Sequence, residues 1–220
     1  VTLAFVDANV LAQATPRTIL YLASALDSCA FGLVFSPLVE KEAERAQRPK
    51  ARPVSVLREK WLWQVSPDHP NPEELSLLDT HWKDQPVLAA AVNANARYVI
   101  TENVRHFGPT DLDRFGMSAV HPGLFLAGRL TEAAYTSILG ALATARRQSP
   151  NTMLTIHIQE VSDSLPDLFT MHQNLFGPAE SARTKRPIKE TFRGVACLRC
   201  ALVITDRSSL TNGVCTSCEP

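Results

Sequence analysis

Residues 84–107, DQPVLAAAVNANARYVITENVRHF, constrain the fold more than any other stretch. An acid opens an apolar, Ala-rich helical run from Pro86 to about Asn95. A short apolar strand follows at Tyr98-Val99-Ile100, and then come Thr101, Asn103 and the aromatic Phe107. A carboxylate at a helix start and small polar groups at the C-terminal end of a strand face one crevice in an open α/β sheet, where such folds bind ligands.

The rest of the chain repeats this grammar. Leu3–Val6 reads as a strand ending in Asp7-Ala8-Asn9. Thr15-Pro16 is an N-cap and N1 pair opening a helix to about Ser28. Phe31–Phe35 is a second strand, and Ser36-Pro37 starts a helix through Glu40, Glu42 and Arg45. Val54–Leu62 reads as helical, Trp63–Ser66 as a strand, and Pro72–Thr80 as a helix with Glu73 and Glu74 in its first turn. Met117–Val120 is the last strand expected, Gly123–Ala127 a short helix or turn, and Thr131–Arg146 a capped helix. This alternation predicts an α/β domain with a central parallel sheet and helices on both faces. We expect three parts: residues 1–147 as that domain, 148–190 as a linker with a short helical segment, and 191–220 as a small C-terminal domain. Within residues 154–176 the expectation is a strand or short helix, then a helix near Leu168–Leu175.

With 220 residues the chain has room for one domain of ordinary size and an appendage. Its formal net charge is zero, so no global field announces a polyanion partner. Two local stretches are basic. One holds Lys41, Arg45, Arg48, Lys50, Arg52, Arg58 and Lys60 against Glu42, Glu44 and Glu59; the other holds Arg183, Lys185, Arg186, Lys189, Arg193 and Arg199 against Glu190. They read either as solvated surface and linker or as phosphate-contacting patches. No apolar run approaches the roughly 20 residues needed to span a bilayer, and VTLAFVDANVL lacks the basic start and cleavage site of a signal peptide. A cytoplasmic location is expected.

Asp7, Glu42 and Asp84 sit on three elements that one sheet can bring together at its C-terminal edge. Such a cluster is unfavourable unless a cation neutralises it. Mg²⁺ or Mn²⁺ would suit carboxylate oxygens and could drive phosphodiester hydrolysis. Each acid has a plainer reading: Asp7 as a turn residue, Asp84 as an N-cap, Glu42 as a solvated helix acid beside Lys41 and Arg45.

VDANVL, SPLVEKEA, DQPVLAAAV and ITENVRHF, in this order, resemble the PIN-domain ribonucleases, nearest the branch that includes many VapC-type toxins. The resemblance covers roughly residues 3–127. It implies a three-layer PIN-like fold, a metal-dependent endoribonuclease with a catalytic Mg²⁺ or Mn²⁺ site, and products with 5′-phosphate and 3′-hydroxyl ends. It makes Asp7, Glu42 and Asp84 the metal ligands, with Glu40 a competing register for Glu42, and Thr101 and Asn103 the supporting polar pair. It also implies an RNA substrate, a cognate antitoxin protein and a homodimer as partners. His106 stands where relatives often carry an acid, with Glu102, Asp111 or Asp113 as substitutes. An RNA-processing nuclease, or a catalytically degenerate module binding RNA or protein, is the alternative.

Cys197-Leu-Arg-Cys200 and Cys215-Thr-Ser-Cys218 are separated by 14 residues. Two such turns can present four thiolates to one structural Zn²⁺, as in a zinc ribbon. Two disulfides or a redox pair would use the same residues. Cys29 reads as a buried structural thiol.

Overall fold

The computed structural model describes residues 1–26, 29–49, 51–61, 64–67, 78–147, 150–177, 195–196 and 203–204. Five parallel strands form the central sheet: β1 (Thr2–Val6), β2 (Phe31–Phe35), β3 (Gln64–Val65), β4 (Tyr98–Ile100) and β5 (Ser118–Val120), in the order β3-β2-β1-β4-β5. The expected α/β class with a central parallel sheet is thus the observed one. β1, β2 and β4 are continuous apolar runs because a central parallel strand is covered on both faces. Phe5, Val34, Val99 and Ile100 are among their buried side chains.

β1 pairs with β2 on one side and β4 on the other. Chain order therefore reverses direction across the sheet at the β1–β4 pair. Because parallel crossovers are right-handed, the helices on the two sides lie on opposite faces and open a crevice at the strands' C-terminal ends. The register sets what lines it. Val6 pairs with Ile100, so the next residues, Asp7 and Thr101, emerge side by side. The Asp7 amide donates to the Ile100 carbonyl at 3.0 Å and the Thr101 amide to the Val120 carbonyl at 2.9 Å.

Between the strands run α1 (Ala8–Leu11), α2 (Ala14–Ser24), α3 (Pro37–Ala46), α4 (Val54–Trp61), α5 (Gln85–Asn93) and α6 (Pro109–Phe115). Ser36 caps α3 by accepting from the Val39 amide at 3.4 Å, and Pro37 supplies the preset first turn. α5 buries Val87, Leu88, Ala89, Ala90 and Ala91, the Ala-rich face read in the sequence. The helix expected over 72–80 falls mostly outside the described residues, and residues 78–80 are not helical.

By its backbone packing the chain divides into two compact units: residues 1–24 with 30–122, and residues 25–29 with 123–220. The described part of the second unit is mostly helical. After α7 (Pro122–Ala127) comes α8 (Glu132–Ala145), which Thr131 caps through the Ala134 amide. Residues 153–164 are helical, as α9 (Met153–Ile156), a π turn over His157–Val161 and α10 (Ser162–Ser164); Leu165 breaks the run and α11 (Pro166–Met171) follows. Of the two expectations for the first part the short helix is the one seen, and Pro166 marks the break after it, starting α11 at its first position. β6 (Val195–Ala196) and β7 (Val203–Ile204) pair antiparallel. Cys197, Cys200, Cys215 and Cys218 lie outside the described residues, as does the basic stretch around 183–194. Cys29 is buried. Among the described residues no helix is long and apolar enough to cross a membrane.

Candidate functional site

The crevice is built around Asp7. Its backbone is extended (φ −76°, ψ 157°), so its side chain folds back to cap α1, accepting from the Ala8 amide at 2.6 Å. The same carboxylate accepts from Thr101 Oγ1 at 2.7 Å and from Asn9 Nδ2 at 2.8 Å. Thr101 is fully buried, and its hydroxyl oxygen also accepts from Asn9 Nδ2 at 3.2 Å and from the Asn103 amide at 3.0 Å. Asn9 Oδ1 accepts from the Glu102 amide at 3.2 Å.

Burial pushes the Asp7 carboxyl up from 3.8 to about 6. The Thr101 and Ala8 hydrogen bonds oppose the rise, and the negative charges of Asp84 and Glu42 add to it. The three acids singled out in the sequence therefore share one electrostatic environment. Glu42 is exposed on α3 and acts on Asp7 through space. Glu40, the competing register, instead pairs with Arg58 of α4 at 3.3 Å.

Asp84 sits at the N-cap position of α5 without capping it. Its backbone is helical (φ −99°, ψ −7°), whereas a capping residue is extended. The carboxylate is instead taken by two histidines: Oδ2 lies 2.9 Å from His106 Nδ1 and 3.5 Å from His81 Nδ1. Asn103 is exposed and meets the cluster through its backbone amide.

The three substitutes for a fourth acid are placed elsewhere. Asp111 is buried and accepts from the Thr80 amide and hydroxyl, both at 2.7 Å. Glu102 pairs with His121. Asp113 is exposed. Sequence reasoning missed Asn9 and His81. The signal for Asn9 was its place two residues after Asp7 in the same strand-end turn. His81 carried none, since it joins Asp84 and His106 only through the tertiary fold.

The model of the family described as "Flavin containing amine oxidoreductase" matches residues 33–151, a little over half of the chain. By that match the chain belongs to this family. It is also 28% identical over 104 residues, 46% of its own length, to "Putative ribonuclease VapC50" of Mycobacterium tuberculosis, and spans 61% of that relative. No solved structure matches the chain.

These findings correct the expectations drawn from the motifs. The family match replaces the PIN-domain ribonuclease assignment and its VapC-like toxin branch, and the similarity to VapC50 is too partial to restore it. With it go the PIN-like form of the fold, the C-terminal zinc ribbon, the endoribonuclease activity and the Mg²⁺, Mn²⁺ and Zn²⁺ cofactors. The match points to oxidoreductase chemistry with a flavin where metal-dependent hydrolysis was expected. The physical reason for the error is generic geometry. Any doubly wound parallel sheet places acids and small polar residues at its strand ends, so short motifs there do not separate families.

The residues of the crevice do not fit a flavin dinucleotide. Such a cofactor lays its pyrophosphate on a helix N-terminus reached through a glycine turn after the first strand. Here β1 runs through Asp7-Ala8-Asn9 into α1 with no glycine, and the Asp7 carboxylate occupies the helix amide that a phosphate would need. The turns after β2 (Ser36-Pro37) and β4 (Thr101-Glu102-Asn103) contain no glycine either. No flavin-dependent step is derived for this chain.

Proposed function

We propose that the crevice between the C-terminal ends of β1 and β4 binds a cationic ligand, with Asp7 as its buried anchor and Asp84 and Glu42 completing the negative field. The observation that carries this reading is the burial of the Asp7 carboxylate at the crevice, which raises its proton affinity, with Asp84 and Glu42 adding to the rise. A positive charge placed there relieves three unfavourable terms together: the desolvation of Asp7 and its repulsion from each neighbour. Thr101 and Asn9 orient the Asp7 carboxylate by donating to it, and Asn103 supports Thr101 through its amide.

Thermal denaturation against a panel of alkylammonium ions tests the proposal. A ligand at 100 times its Kd stabilises the fold by about 2.7 kcal/mol. At least one cation is expected to stabilise wild type at pH 7.5 and to leave Asp7→Asn unmoved. Equal stabilisation of both proteins, or none across the panel, would refute the reading.

A further inference from the structure

We propose that His81, Asp84 and His106 form a binding site for a first-row transition-metal ion of the class that imidazole nitrogen prefers. This site shares Asp84 with the Asp7 cluster and is distinguished from it by the two rings.

One ligand atom from each residue lies within 4.8 Å of the others. The two contacts to Asp84 Oδ2, 2.9 Å from His106 Nδ1 and 3.5 Å from His81 Nδ1, are close to the spacing of neighbouring ligands around a bound ion. Metal–nitrogen and metal–oxygen distances near 2.1 Å place such neighbours about 3.0–3.4 Å apart. Two imidazoles and one carboxylate suit borderline ions better than hard ones, which favour all-oxygen shells.

The ligands are held before any ion arrives. The His81 amide donates to the His106 carbonyl at 2.7 Å, which ties the two histidine backbones together. The His81 carbonyl accepts from the Asp84 amide at 2.8 Å and the Gln85 amide at 3.1 Å. The rings face each other at 5.0 Å between centroids. Behind them, Asp111 holds Thr80, and the Thr80 hydroxyl accepts from the Gly108 amide at 3.0 Å. A Cβ at residue 108 would meet Asp79 at 2.7 Å, so only glycine allows the two segments to approach this closely.

His106 Nδ1 contacts the Asp84 carboxylate directly at 2.9 Å. His81 Nδ1 accepts a long 3.4 Å hydrogen bond from the Lys83 amide, which an ion would have to displace. Both rings are partly exposed, so an ion would retain coordination positions open to solvent.

The experiment titrates the chelator-treated 220-residue chain with Co²⁺. Trp82, whose neighbour His81 lies at 5.8 Å ring to ring, reports binding by fluorescence quenching. Proton NMR of the Co²⁺ form reports the ligands, because each imidazole bound through Nδ1 gives one strongly shifted, exchangeable Nε2–H signal. Wild type and Asp7→Asn are expected to show two such signals. His81→Ala and His106→Ala are each expected to lose one and to bind roughly tenfold or more weakly. Mg²⁺ at the same concentrations is expected not to compete. Unchanged signals in both histidine variants, or quenching that Mg²⁺ reverses, would overturn the site. Loss of a cation effect in Asp7→Asn with intact Co²⁺ signals would separate the two proposals.

Discussion

Replacing Asp7 with asparagine is expected to stabilise the fold near neutral pH, although it removes a side chain that accepts three hydrogen bonds. The carboxyl titrates at 3.8 in the unfolded chain and at about 6 in the fold, where the residue is only 4% exposed. Below pH 3.8 it is neutral in both states, and its contribution to stability is complete. Between those values the unfolded chain releases the proton while the fold retains it, so stability falls as pH rises. Above about 6 the loss is complete. At about 1.36 kcal/mol per pH unit it amounts to about 3 kcal/mol. Asparagine has the same shape and no charge to desolvate. It re-pairs the Ala8, Asn9 and Thr101 donors imperfectly, which costs about 1 kcal/mol. The net expectation is that Asp7→Asn is more stable than wild type by about 2 kcal/mol at pH 7.5 in cation-free buffer. The advantage shrinks as pH falls and reverses by about 1 kcal/mol near pH 4. Urea denaturation of both proteins from pH 4 to 8 measures the difference directly. A difference that stays flat across this range, or a variant less stable than wild type at pH 7.5, would refute the argument.

Asp111→Ala leaves the amide and hydroxyl of Thr80 without their buried acceptor. It is expected to lose about 3 kcal/mol in urea denaturation, and Asp111→Asn less because one acceptor remains. His157, buried against Tyr135, has its imidazole pushed down from 6.5 to about 4, by burial and then by the neighbouring His172. Its contribution is complete above pH 6.5 and lost as pH falls through 4, up to about 3 kcal/mol. Subtracting the pH profile of His157→Gln from that of wild type isolates it, and a featureless difference would show that the ring is not held neutral by the fold.

The elements that were legible in the sequence are those whose cause is local. β1, β2 and β4 are apolar runs that only a covered parallel strand explains. Ser36 and Thr131 cap helices because a hydroxyl three residues before a free amide needs no other part of the chain. Asp84 looked like the same device and is not one. The fold gives it a helical backbone angle and brings His106 to its carboxylate from 22 residues away. His81 was invisible for the same reason: its spacing to Asp84 acquires meaning only when β4 carries the 104–106 turn alongside it. At 154–176 mixed apolar spacing left a strand and a short helix both open, and the fold resolved it as a helix carrying a π turn, broken at Leu165 before α11.

The family match and the chemistry of the crevice pull in opposite directions, and the place where they part is informative. The match begins at residue 33, inside β2. It leaves out β1 and the Asp7-Ala8-Asn9 turn, the part of a doubly wound sheet that sets the charge of its ligand. In a dinucleotide-binding turn, free amides at a helix start attract an anion. In this chain a buried carboxylate already satisfies the first of those amides and adds its own negative charge, with two more acids close enough to raise its proton affinity. A parallel sheet with one strand order can serve either kind of ligand, because the order fixes only where the crevice lies. The residue after β1 bears on which charge is favoured, and here that residue is an aspartate.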